Sequence, residues 1–117
     1  MTDERLIAAL DVPTRDDAER LVERLGTSVS YYKVGMELFY ALGGDIVIWL
    51  KGREKKVFLD LKLHDIPNTV GNGLCSLLRL RPDILNVHTA GGLRMMQTAR
   101  EALHRAADEM GVPCPRL

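Results

Sequence analysis

The residues best suited to chemistry lie in one short apolar stretch, VFLDLKLHDIPNTV, at residues 57–70. Asp60, Lys62 and Asp65 bring three ionisable side chains into six positions, and His64 lies between them. Burying charges of both signs costs desolvation energy, so such a cluster is expected mainly where it performs a function. A lysine among carboxylates offers a fixed cation and a movable proton, the groups used in electrostatic and acid–base catalysis.

The alternative for this stretch is a surface strand in which Asp60 and Lys62 form an ordinary salt bridge. Side chains alternate between the two faces of a strand. One face would carry Val57, Leu59, Leu61 and Leu63, and the other Phe58, Asp60 and Lys62. A strand that is apolar towards its helices and charged towards its carboxyl end is typical of a parallel sheet covered by helices, where active sites lie at that end. The apolar surroundings therefore favour a functional site.

Strand-like and helix-like segments alternate along the whole chain. Predicted strands cover residues 6–10, 29–34, 57–63 and 84–87. Predicted helices cover residues 15–25, a segment from 36 that restarts at 45 after two glycines, residues 67–80 and residues 93–110. The basic run 51–56 is interpreted as a solvated loop without chemistry. Strict alternation predicts an α/β fold with a parallel sheet and right-handed crossovers.

Each predicted strand ends in a polar residue. In strand order these are Asp11, Lys33, Asp60 with Lys62, and His88. Because the carboxyl ends of parallel strands share one edge of the sheet, the pattern predicts a ring of ionisable groups there. Two members have plainer alternatives: Asp11 could cap its loop, and His88 could be a structural histidine that supports the turn at residues 91–92.

Composition narrows the class of protein. The 117 residues suit a single domain, whereas a complete eight-stranded α/β barrel needs about 250. Sixteen basic and sixteen acidic residues cancel, and aromatic residues make up only 5%, so neither nucleic acid nor an anionic membrane is an expected partner. Cys75 and Cys114 lack the spacing of metal ligands or of a disulfide framework. Without a signal peptide or a transmembrane segment, a cytoplasmic protein is expected.

Several motifs together resemble the orotidine 5′-phosphate decarboxylase family. They are ALDVP at 9–13, YYKVG at 31–35, FLDLKLHDIPNTV at 58–70, NVHTAGG at 86–92 and RMMQTAREAL at 94–103. The resemblance implies a (β/α)8 TIM barrel, of which this chain would hold the first four βα units and lack the C-terminal half. It also implies a homodimer with active sites at the interface. The reaction would convert orotidine 5′-monophosphate, a nucleotide, into uridine 5′-monophosphate without cofactor or metal.

The resemblance also implies roles for individual residues. Lys62 would donate the proton to C6 of the pyrimidine, with Lys33 and Asp60 as its charged neighbours near the ribose and the carboxylate. Asp65 and Thr69 would reach into the partner subunit's site. The implied catalytic residues are Lys62, Asp60, Lys33 and Asp65, and the implied substrate-binding residues are Asp11, Lys33, Asp60, Ile66 and Thr69. Loss of carbon dioxide leaves a vinylic carbanion without an electron sink, so a fixed cation beside it is the most useful group a protein can supply.

Two alternatives stay open. A related decarboxylase or aldol-type enzyme acting on a sugar phosphate would share D-x-K-x-x-D, but an acidic metal ligand would be expected where Lys33 stands. Lys33 and the IPNT ending therefore favour the nucleotide enzyme. The family's phosphate-binding loop and arginine are not among these residues, and 113–117 lie where a fifth strand would begin. The second alternative is therefore an inactive half-barrel that associates with itself.

Overall fold

The computed structural model describes residues 3–117. The expectation that the N-terminus is not a signal peptide falls partly on the first two residues, which lie outside the described part. The strands are β1 (Ala8–Ala9), β2 (Tyr31–Gly35), β3 (Lys56–Leu63) and β4 (Ile84–Val87). The helices are α1 (Arg15–Leu25), α2 (Met36–Leu42), α3 (Asp45–Gly52), α4 (Pro67–Leu77) and α5 (Leu93–Met110). Hydrogen-bonded neighbours follow the order β1-β2-β3-β4, which confirms the predicted α/β alternation.

The chain forms two compact units, one that ends at Asp60 and one that spans Leu61–Leu117. In the first unit β2 is the central strand and pairs in parallel with β1 and with β3. Four of the five residues of β2 are buried, as expected for a parallel strand covered on both faces. The fully buried core of this unit includes Leu10, Tyr32, Val34, Leu38, Ile46, Leu50, Val57 and Leu59.

Helix α1 has the bounds that its sequence predicts, because both of its ends are determined locally. The Thr14 side chain accepts a hydrogen bond from the backbone N–H of Asp17 at 3.2 Å, which caps the first turn. At the other end Gly26 has φ 52°, a conformation that favours glycine and stops the helix.

The second unit contains the end of β3, together with β4, α4 and α5. Pro67 occupies the first turn of α4, where its missing N–H costs nothing. Helix α5 has the predicted bounds, and its buried face repeats every four residues through Met95, Ala99, Leu103 and Ala107. Within residues 3–117 no helix is both long enough and apolar enough to span a bilayer.

Strand limits differ from the predictions more than helix limits do. The predicted first strand at 6–10 is reduced to Ala8–Ala9, because the backbone N–H of Leu6 turns back to the Asp3 carbonyl and the Leu6 side chain is 56% exposed. The second strand begins at Tyr31 instead of residue 29, because a 3-10 turn occupies Gly26–Ser28 and regular pairing with β3 starts only at Tyr31. Lys56, assigned above to the loop, is the first residue of β3, and α4 gives way to a 3-10 turn at Leu78–Leu80.

Helices α4 and α5 approach closely at Gly71. A Cβ atom on Gly71 would lie 3.1 Å from the Ala102 Cβ, which leaves no room for a larger side chain. We therefore expect Gly71→Leu to lower the free energy of unfolding by about 1–3 kcal/mol, the usual cost of overpacking. Urea denaturation would measure the loss. The matched control is Gly52→Leu, at a position with nothing within 4 Å, and an equal loss in both variants would contradict the explanation.

Candidate active site

In the first unit a lysine amine lies between two carboxylates. Lys33 on β2 places its Nζ 3.4 Å from Asp11 Oδ1 and 3.4 Å from Asp60 Oδ2. Asp60 is only 7% exposed, and within residues 3–117 no other charged residue is buried. At this distance the pair of Lys33 and the buried Asp60 attracts by roughly 5 kcal/mol if the effective dielectric constant is about 20, which counters the desolvation of Asp60. The pair with Asp11 contributes much less, because the Asp11 side chain is 64% exposed and water screens its charge. The structure thus brings three of the predicted site residues together.

The sheet register and a glycine make room for this cluster. Gly35 lies opposite Asp60 in the β2–β3 pairing. A Cβ atom on Gly35 would lie 3.3 Å from the Lys33 Nζ and 3.7 Å from Asp11 Oδ1, so a side chain here would crowd both groups. The sequence analysis includes Gly35 only as the last residue of the YYKVG motif and gives it no role in the site. Its position two residues after Lys33, where a strand meets a helix, was the signal that could have pointed to this role.

Lys62, in the second unit, has an unusual backbone. Its φ is 50°, in the left-handed region, although it lies within β3. For a residue with a Cβ atom this conformation costs about 1–2 kcal/mol, and such strain is concentrated at functional sites. The period-two rule assumes extended backbone at every residue. It therefore does not determine the direction of the Lys62 side chain, which is exposed.

The loop after β3 lines an open cleft of about 520 Å³. Its walls are His64, Asp65, Ile66, Pro67, Ala90 and Gly91. The Asp65 carboxylate accepts a hydrogen bond from the backbone N–H of Ile66 at 2.6 Å, and Ile66 is 64% exposed. Thr69, in the first turn of α4, is also exposed. The second unit therefore presents Asp65, Ile66 and Thr69 at the surface.

His88 has the structural contacts of the plainer alternative. Its Nδ1 accepts a hydrogen bond from the backbone N–H of Ala90 at 3.1 Å, and its carbonyl accepts one from Gly91 at 3.1 Å. The His88 ring also stacks on His64, with centroids 5.0 Å apart and planes 20° apart. His88 therefore supports the turn between β4 and α5. Within residues 3–117 no three His, Cys, Asp or Glu side chains are grouped as metal ligands would be.

Parallel strands that alternate with helices define the α/β fold class to which the TIM barrels belong, and in those barrels the carboxyl ends of the strands are where active sites lie. The family model for the orotidine 5′-phosphate decarboxylase / HUMPS family matches residues 4–112. The chain belongs to this family, which confirms the family and the fold class that its motifs indicate. The individual residue roles stay predictions.

Relatives and solved structures support the same assignment. Orotidine 5′-phosphate decarboxylase of Enterococcus faecalis is 49% identical over 115 residues, which cover 97% of this chain and 48% of the relative. The enzyme of the same name from Carboxydothermus hydrogenoformans is 52% identical over 82% of this chain and 40% of its own length. The crystal structure of orotidine 5′-phosphate decarboxylase from Lactobacillus acidophilus has a TM-score of 0.82 at 40% identity, covering 94% of this chain and 49% of that one. The chain thus spans about half the length of the curated relatives it matches.

Proposed function

We propose that the complete protein decarboxylates orotidine 5′-monophosphate to uridine 5′-monophosphate in pyrimidine biosynthesis. The observation that carries this proposal is the family match over residues 4–112. Within the matched range, Asp60, Lys62 and Asp65 have the spacing D-x-K-x-x-D, and the Lys33 amine lies within ion-pair distance of Asp60.

In the proposed reaction the bond from C6 to the carboxylate breaks, carbon dioxide leaves, and the electron pair stays on C6. The Lys62 ammonium stabilises this negative charge and then donates a proton to C6, which completes the product. A cation fixed in advance costs no reorganisation when the charge develops, which is the main advantage of electrostatic catalysis. Lys62 regains its proton from water after each turnover.

The cluster of Asp11, Lys33 and Asp60 in the first unit would bind the ribose of the substrate and would hold charged groups in fixed positions. Lys33 is held between Asp11 and Asp60, and its side chain is only 25% exposed, so its amine has a defined location. The Asp11 side chain is 64% exposed and is therefore accessible to a ribose hydroxyl. Asp60 is buried and separated from Lys62 by one residue in the sequence, and we propose that it is a charged neighbour of the Lys62 amine during the reaction.

The exposed residues of the second unit support a homodimer with shared sites. Ile66 and Leu93 are large apolar side chains that are 64% and 67% exposed, and burial against a partner would remove them from water. We propose that Asp65, Ile66 and Thr69 contact the substrate in the partner subunit's site. We also propose that the enzyme needs no cofactor or metal. Its place would be the cytoplasm, where Cys75 and Cys114, both free thiols, would stay reduced.

The direct test is to measure uridine 5′-monophosphate formation by the purified complete protein, with and without a metal chelator. We expect equal turnover in both samples, because the lysine cation supplies the stabilisation that a metal would otherwise provide. The comparison is an assay of the same protein with a sugar phosphate acid as the substrate in place of the nucleotide. Absence of nucleotide decarboxylation, or activity that a chelator abolishes and Mg²⁺ restores, would favour the sugar-phosphate enzyme instead.

A further inference from the structure

Asn86 is a polar residue in a short, otherwise apolar strand, β4 (Ile84–Val87), and it is half-buried. Its Oδ1 accepts a hydrogen bond from the backbone N–H of Lys62 at 2.8 Å. A further bond follows between the same two strand ends, from the backbone N–H of His88 to the Leu63 carbonyl at 2.9 Å. The backbone N–H of Lys62 thus bonds to a side-chain oxygen of the neighbouring strand, whereas in a regular parallel ladder the partner of a backbone N–H is a backbone carbonyl.

The residue that receives this bond is strained. Three non-glycine residues in the described chain have positive φ: Glu54, Lys62 and Arg81. Glu54 and Arg81 follow helical segments, where left-handed residues are common. Lys62 alone of the three lies inside a strand. A left-handed residue in that position persists only where its surroundings hold it.

We propose that Asn86 is a positioning residue for Lys62. Its side-chain oxygen holds the Lys62 backbone in the left-handed conformation and so sets the direction in which the Lys62 side chain leaves the strand. The inference rests on the proposed function, in which the Lys62 amine is the proton donor. A change of φ from 50° to an extended value would redirect the Cα–Cβ bond and move the amine away from C6.

The test compares three variants of the complete protein: Asn86→Leu, which has a similar shape but no acceptor, Asn86→Asp, which keeps an acceptor oxygen, and the control Asn72→Leu on the exposed face of α4. We expect Asn86→Leu to lower kcat by about 10- to 100-fold with little change in KM, because misplacement of a catalytic group mainly affects the chemical step. Asn86→Asp should recover most of kcat, and Asn72→Leu should match the parent. If Asn86→Leu does not fold, Asn86→Ser replaces it, since the shorter hydroxyl cannot reach the Lys62 N–H.

Amide hydrogen exchange provides a readout that needs no turnover. The Lys62 amide should exchange at least about tenfold faster in Asn86→Leu, whereas the amide of Leu103, in the core of α5, should not change. A purely structural role would accelerate both amides. Unchanged exchange at Lys62, or faster exchange with kcat within threefold of the parent, would overturn the proposal. If the parent does not decarboxylate the nucleotide at all, the proposed function fails, and the exchange result still decides whether Asn86 holds Lys62.

Discussion

Lys62→Ala is expected to abolish decarboxylation in the complete protein while leaving the fold and the binding of phosphate largely intact. Under the proposed function Lys62 is both the cation beside the carbanion and the proton donor. General acids contribute about 10²–10⁴-fold, and one electrostatic contact to a developing charge about 10²–10³-fold. Since one side chain performs both tasks, we expect a loss of about 10⁴-fold or more in kcat.

The structure indicates that this substitution removes the amine without disturbing the fold. Lys62 is exposed, so removing its side chain leaves no cavity in the core. At φ 50° alanine has the same backbone strain as lysine, because both residues carry a Cβ atom. Lys51→Ala, in the last turn of α3 and outside the proposed site, is the control for loss of a lysine elsewhere in the chain. Product formation by Lys62→Ala within tenfold of the parent would show that another group is the proton donor.

The fold was predictable where its signals are local. Helix α1 is bounded by Thr14 and Gly26, and α5 by two glycines, Gly92 and Gly111, all of which are visible in the sequence. The extent of β1 was not predictable, because an apolar run indicates burial but does not show where regular pairing with the neighbouring strand stops. Leu10 illustrates this: it is fully buried and its N–H bonds to the Lys33 carbonyl, yet it lies outside the strand.

The candidate site shows the same division. The ion pairs of Lys33 with Asp11 and Asp60 follow from their places at the ends of parallel strands, which the alternation of elements already indicates. The clearance at Gly35 and the bond from Lys62 to Asn86 depend on atoms that are brought together only by folding. For Asn86 a signal existed, because a lone amide in an apolar strand requires a hydrogen-bonding partner.

A mixture of two inactive variants should regain activity if Asp65 serves the partner subunit's site. In the proposed homodimer each site takes Lys62 from one subunit and Asp65 from the other. Asp65 lies in an exposed loop beyond β3 beside the exposed Ile66, so a partner subunit could reach it. A hybrid of Lys62→Ala and Asp65→Asn would carry both defects in one site and neither in the other.

Equal amounts of the two variants with random exchange in a symmetric dimer would make half of the dimers hybrids, so about a quarter of all sites would be intact. We therefore expect the mixture to reach about a quarter of the parental rate, whereas each variant alone is nearly inactive. Subunits with different affinity tags would verify that exchange has occurred. A mixture no more active than its components, with exchange proven, would place Asp65 in the site of its own chain.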